Sequence, residues 1–327
     1  MARVLGWDVG GAHLKAALAE AGEILRVWRV AVPLRRDLRP LDEALARIAA
    51  EAGAVSRHAV TMTGELSDVF PDRAAGVAAL ARALAPHLSG ETLFYAGETG
   101  FVASPEASEM VASANWHAAA RLVAGQIEAA LLLDMGSTTT DITVIREGRV
   151  DAKGFGDARR LACGELVYQG HSRTALMAVA ESVPFEGARV PVIAEPLATM
   201  ADVRRLLGAE DGDASAKEAG ARLARMIGRD AAEVSGPALE ALAQAFGEAQ
   251  LRRVHDAALT VLSRGALDEG APVVVAGIGR PVLKRLAARL DRGIVDFGDL
   301  VDCRSALREE VCAAAPASAL AILALSA

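Results

Sequence analysis

Two aspartates each close an apolar run and stand two residues ahead of a glycine: Asp8 in LGWDVGGAHLKAALAEAGE and Asp134 in LLLDMGSTTTDITVIREGR. A carboxylate at a strand end can hold a divalent metal, and a tight turn directly after it can aim backbone N–H and hydroxyl groups at an anion. The pattern predicts a phosphate pocket in which Asp8 and Asp134 hold the metal while Gly10, Gly11, Gly136, Ser137, Thr138 and Thr139 meet the phosphate. Asp8 precedes Gly22 by the same fourteen residues that separate Asp134 from Gly148. Each motif therefore opens a strand, turn, strand, turn unit, and the chain carries that unit twice.

The returning strands supply further candidates. Lys15 can touch a phosphate oxygen as a point charge or lie along the surface as a solvated lysine. His13 reads as a hydrogen-bonded turn residue at the edge of a substrate, not as a base. Asp141 either orders the hydroxyl turn or joins the metal shell. The threonines also suit a hairpin through strand propensity alone.

Elements that could position these residues follow in order. After the first meander, residues 41–54 carry apolar side chains at helical spacing, and a strand is expected at 58–63, giving a βαβ crossover onto a parallel neighbour. A helix from Pro71-Asp72 to about Leu88, a strand at 92–96 and a helix at 115–125 complete a βββαβαβα unit over residues 1–127. A second unit, residues 128–304, starts with its own βββ. In it, residues 164–170 read as a short helix, 189–194 as a strand, and 196–207, 216–227 and 236–264 as helices. The apolar run 272–276 then leads through Gly277-Ile278-Gly279 into a helix at 281–290. Residues 305–327 read as a terminal helix broken at Pro316 and packed back on one of the units. The charged linker 208–214 reads as a surface loop.

Composition narrows the classes. The 327 residues are 52% hydrophobic but only 4% aromatic, which predicts a large core of small aliphatic side chains. A net charge of −7, with basic residues only in isolated pairs such as Arg35-Arg36, Arg204-Arg205 and Arg252-Arg253, argues against nucleic acid as a partner. Strand-like sequence begins almost at once and the apolar stretch 311–325 is short for a membrane span, so a soluble, cytoplasmic protein is expected with no membrane partner. Cys163, Cys303 and Cys312 are scattered and are assigned no chemistry.

The duplicated unit, with D-x-G-G and D-x-G-S turns at the two first hairpins, resembles the actin/hexokinase/Hsp70 fold. That resemblance implies an α/β protein of two ribonuclease H-like domains facing a cleft, with the turns binding phosphates from opposite walls. A closer resemblance runs through GWDVGGAHLKAAL, HAVTMTGELSDVFPDRAAGV, FYAGETGFV, ASANWHAA, LLLDMGSTTTDITVI, RLACGELVYQGHSRT and AEPLATMADVRRL. These blocks, from residue 4 to about 206, are similar to hydantoinase/oxoprolinase-related proteins of tetrahydromethanopterin-linked C1 transfer, whose relatives include a methanofuran-biosynthesis enzyme. The match fades beyond 206, which implies a late part shorter than in relatives.

The family implies an alkyl transfer in which a phenol displaces diphosphate from an aminomethylfuran-methyl diphosphate to form an aryl ether. A departing diphosphate calls for Mg²⁺ and preorganised donors. A phenol, with a reference pKa near 10, benefits from a base. Glu65 and Glu165, in T-G-E-L and C-G-E-L turns, are the candidates for that base, with helix capping or surface exposure as the alternative for each. Asn115, Trp116 and Arg173 lie in the family-like blocks and are expected at the substrate, Arg173 as an anion clamp and Trp116 as a stacking wall or a core residue. Gly277 and Gly279 are expected, from the fold analogy, beside the organic part of the substrate. Two other readings share the cleft: an ATP-dependent kinase or oxoprolinase-like ATPase, and a non-catalytic nucleotide-binding regulator. No GxxxxGK[ST] and no helix-opening GxGxxG is present, which removes P-loop and Rossmann sites without separating the three.

Overall fold

The structure, a computed structural model, describes residues 2–34, 37–107, 109–209 and 215–327. The Arg35-Arg36 pair and most of the 208–214 linker lie outside the described residues.

The first half runs β1 (Arg3–Val9), β2 (His13–Glu20), β3 (Glu23–Ala31), α1 (Arg39–Ala52), β4 (Arg57–Met62), α2 (Arg73–Leu84), β5 (Glu91–Tyr95), β6 (Phe101–Val102) and α3 (Asn115–Ala124). The second half runs β7 (Ala130–Met135), β8 (Thr140–Arg146), β9 (Arg149–Val150), α4 (Asp157–Ala162), β10 (Leu166–Val167), β11 (Ser182–Phe185), β12 (Ala188–Pro191), α5 (Met200–Leu206), α6 (Ala216–Arg225), α7 (Gly236–Leu262), β13 (Val273–Ala276), α8 (Arg280–Arg289), β14 (Ile294–Asp296), β15 (Asp302–Cys303), α9 (Arg308–Ala313) and α10 (Ala315–Leu323).

The expected repeat is visible in the pairing. β1 pairs antiparallel with β2 and parallel with β4, while β7 pairs antiparallel with β8 and parallel with β13. Seven strands form the first sheet in the order β15-β3-β2-β1-β4-β5-β6, and the second has the order β10-β8-β7-β13-β14 with β9 beside β8. β15 lies in the first sheet although it follows the second in sequence, so the chain crosses back at Asp302, just before the expected terminal segment.

Both sheets are covered on both faces. α3 and α10 lie between them, in a cluster that joins Val4 and Ala17 of the first sheet to Leu132 and Val274 of the second. The outer face of the first sheet buries Leu5, Trp7 and Val9 with Leu41, Leu45 and Ile48 of α1. The outer face of the second buries Leu131, Leu133 and Met135 with Leu251 and Val254 of α7 and Leu283 and Leu286 of α8. The scarcity of aromatics fits this layering. At Gly6 a Cβ would overlap the backbone of Ala317 and Ala321, so α10 reaches β1 because both surfaces are nearly bare backbone.

Some expectations change. Residues 164–170 hold the edge strand β10, paired with β8, and no helix. Gly164 at φ +80° turns the chain, and the Glu165 carbonyl accepts from Ile142 N–H. The strand near 189–194 is the second arm of a hairpin whose first arm, β11, is only four residues long and carries a proline. The helix expected from Pro196 starts at Met200, because Thr199 and Asp202 form a capping box. The terminal helix breaks at Ala314, where ψ is 37°, and Pro316 falls in the first turn of α10, where its missing N–H costs nothing.

Candidate active site

Side chains alternate across a strand, so Asp8 projects on the same face of β1 as Gly6, toward the space between the sheets, and Asp134 does so from β7 together with Leu132. Both carboxylates are nearly enclosed. Across each hairpin, Asp8 faces Lys15 and Asp134 faces Asp141 in register. The two turns close identically: Gly10 N–H donates to His13 O at 3.1 Å and Gly136 N–H to Thr139 O at 2.9 Å. These two glycines therefore spend their N–H groups on the turn itself. The N–H groups of Gly11, Ala12, Ser137 and Thr138 donate to nothing among the described residues and remain for a ligand.

A cavity of about 750 Å³ separates the turns and is lined by Asp8, Gly10, Gly11, His13 and Lys15 from one side and by Asp134, Gly136, Ser137, Thr138, Thr139, Asp141 and Arg173 from the other. Asn115 and Trp116, at the start of α3, line it as well. The hydroxyl turn is braced from behind. His171 N–H donates to Gly136 O, Arg173 N–H to Ser137 O, and Thr140 Oγ1 to Gln169 O, while a Cβ on Gly170 would overlap Ser137 and Thr138. In the first turn a Cβ on Gly11 would stand 2.8 Å from Ser67 Oγ.

Charge is divided between the walls. Lys15 Nζ donates to Asp8 Oδ2 at 3.1 Å, and burial with nearby Arg29, Lys15 and Arg173 pushes the His13 pKa down to about 4, leaving it neutral at pH 7. On the second wall, burial and the Asp141 carboxylate raise the Asp134 pKa to about 7. Burial raises Asp141 too, against the pull of Arg160, whose Nη1 donates to Asp141 Oδ1 at 2.6 Å. Asp8 Oδ1 is buried without a partner. No group of three or more His, Cys, Asp or Glu side chains able to hold a metal occurs among the described residues, so there is no all-protein metal cage. An under-compensated pair of oxygen donors suits Mg²⁺, which keeps waters and takes one or two carboxylates together with substrate phosphate.

Four expected residues do not line the cavity. Glu165 accepts from Lys153 N–H at 2.8 Å, from Gly154 N–H at 3.1 Å and from Arg264, and so ties a loop to the end of α7. Gly277, at φ +80°, has no room for a Cβ beside Met135 and Asp134, and Gly279 has none beside the Met135 side chain. Both glycines pack against the end of β7, where Asp134 stands. Glu65 is buried just behind the wall, accepts from Ser113 Oγ at 2.7 Å, and has its second oxygen unpartnered.

Arg160 is the residue that sequence reasoning missed. It is almost fully buried, stacks over the Trp116 ring at 3.9 Å, bonds Asp141 and the Glu165 carbonyl, and lines the cavity. Its one signal was a place in the block RLACGEL. Arg73 and Asp157, which pair at 2.8 Å between α2 and α4, were also unmarked.

Residues 56–297 match the hydantoinase/oxoprolinase family model. The chain belongs to the hydantoinase/oxoprolinase family. It is 27% identical to the (4-{4-[2-(gamma-L-glutamylamino)ethyl]phenoxymethyl}furan-2-yl)methanamine synthase of Methanocaldococcus jannaschii over 98% of this chain and 97% of that protein. The late part is therefore not shortened against that relative, contrary to expectation. In structure it is similar to the activator of the 2-hydroxyisocaproyl-CoA dehydratase from Clostridium difficile with bound ADPNP (TM-score 0.50, 12% identity, 99% of this chain and 96% of that one). It is also similar to nucleotide-free acetone carboxylase (TM-score 0.58, 10% identity, 97% and 70%). The fold is thus the two-domain actin/hexokinase-like one. No helix among the described residues is long and apolar enough to cross a membrane.

Proposed function

We propose that this family member is a transferase that condenses an aminomethylfuran-methyl diphosphate with the phenol of a tyramine- or tyrosine-type acceptor, giving an aryl ether and diphosphate for a methanofuran-like C1 cofactor. The observation that carries the reading is the pair of turns with unspent N–H groups on opposite walls of one cleft, in a chain related over nearly its full length to a synthase whose named product is such an ether.

The diphosphate lies between the turns, held by the N–H groups of Gly11, Ala12, Ser137 and Thr138, by the hydroxyls of the second turn, and by Lys15 and Arg173. Asp8 and Asp134 hold Mg²⁺, with Asp141 turned toward Arg160. The ion supplies neutralisation of charge on the leaving group. The phenolic oxygen bonds to the furanylmethyl carbon as the bond from that carbon to the diphosphate oxygen breaks. Donors fixed before reaction stabilise the departing charge without reorganising.

The test is incubation of the purified chain with Mg²⁺, a furanylmethyl diphosphate and tyramine derivatives. Ether, detected by mass, should form in equal amount to released diphosphate. Absence of ether with every phenol, alongside ATP hydrolysis, would replace this reading with that of an ATPase.

A further inference from the structure

A second cavity, of about 520 Å³, opens behind the cleft and differs from it in chemistry. Its wall is mostly apolar, formed by Val77 and Ala78 of α2, Met110, Trp116 and Phe155, with Arg73, Glu106 and His117 also lining it. Phe155 comes from the second half and the others from the first, so this is a chamber between the halves and not a core void. Trp116 and Ser113 line both cavities. The Trp116 ring separates them, with the Arg160 guanidinium 3.9 Å from its centre and Phe155 at 6.1 Å.

Polar atoms at this junction are left without partners. Trp116 Nε1, a donor, and Glu65 Oε2, an acceptor, are both buried and unpaired. Ser113 holds a left-handed backbone at φ +54°, a strained conformation for a non-glycine residue and typical of sites where a side chain must be aimed. Its hydroxyl donates to Glu65 Oε1 at 2.7 Å. A phenol complements the arrangement, with a flat apolar ring for the chamber and a hydroxyl that both donates and accepts at its mouth.

We infer that the chamber bounded by Ala78, Met110, Trp116 and Phe155 binds the aromatic ring of the acceptor, with Ser113 at its mouth taking the phenolic proton and passing its own to Glu65. The inference rests on the transferase reading and adds the acceptor's place. As the phenolic oxygen bonds to the furanylmethyl carbon and diphosphate leaves, the phenolic proton moves to Ser113 Oγ and the serine proton to the Glu65 carboxylate. Burial raises the Glu65 pKa, which suits a proton acceptor. Ser113 meets the substrate, while Glu65 acts through it and is a positioning residue.

Two measurements on the full chain test this. In calorimetry, tyramine alone should bind the wild type, and Ala78→Phe, which fills the chamber, should weaken that binding roughly tenfold or more. Ala74→Phe, at an exposed position on the same rim, is the second variant should Ala78→Phe melt early. Binding of tyramine that neither substitution weakens, or no binding to the wild type at millimolar concentration, overturns the chamber whether or not ether forms. In turnover, Ala78→Phe should raise the KM for the phenol alone. Glu65→Gln should lower kcat about 10²-fold or more with both KM values kept. A Glu65→Gln effect confined to KM, or none, overturns the relay. Tyramine binding without ether would leave the chamber standing and count against the transferase reading instead.

Discussion

At the scale of single residues, the two hairpins were legible because their chemistry is local. A carboxylate, a glycine turn and a fixed spacing occur within fifteen residues, and Asp8, Lys15, Asp134 and the hydroxyl turn all line the cavity. Glu165 and Gly277 lie off the cavity, which their sequence context could not show because their partners are remote: Arg264 for one and the end of β7 for the other. Their roles give opposite predictions. Asp8→Asn or Asp134→Asn should abolish turnover with little change in thermal midpoint; an active Asp8→Asn enzyme would remove that residue from the site. Glu165→Gln weakens an anchor for two N–H groups and Arg264, so it should cost about 1–3 kcal/mol in urea unfolding. A Glu165→Gln protein of native stability but lacking turnover would restore the catalytic role.

At the scale of elements, strands buried on both faces and long amphipathic helices could be read from periodicity, whereas β10 and β11, two and four residues long, could not. What makes β10 a strand is its partner β8, and no window of 164–170 contains that information. The contact of α10 with β1 is the sharpest packing constraint. Gly6→Val, which puts side-chain atoms where the Ala317 backbone lies, should destabilise by about 3 kcal/mol or more, or prevent folding. A mild loss would mean that α10 can move away from the sheet. The break at Ala314 also shows why proline is an ambiguous mark: Pro316 begins a helix here, because in the first turn its N–H is not needed.

At the scale of the whole molecule, the repeat predicted two facing units, but not how closely the intervening helices join them. His117 reports on that layer. It sits in α3, accepts or donates to Tyr95 Oη at 2.8 Å, and burial, with Arg121 and Arg160, holds its pKa down to about 4. The fold prefers neutral imidazole, so nothing is lost above the unfolded value near 6.5. As pH falls from there toward 4, the unfolded chain gains a proton that the fold refuses, and stability should drop by up to about 1.4 kcal/mol per pH unit. His13 and His58, also shifted down by burial, act in the same sense. Asp134, whose pKa the fold raises, takes up a proton over the same range and acts in the opposite sense, so the comparison between variants decides: from pH 7 to pH 5 the wild type should lose more stability to urea than His117→Gln, and an equal change in the two would place the proton uptake elsewhere.

The proposed transfer requires both turns to hold one diphosphate. Calorimetric titration of the full chain with diphosphate in Mg²⁺ measures it directly, using wild type, Lys15→Met on the first wall and Thr138→Pro, which removes a turn N–H, on the second. One site per chain, weakened by either substitution, is the predicted result. Two independent sites, or a single site indifferent to one of the walls, would contradict it.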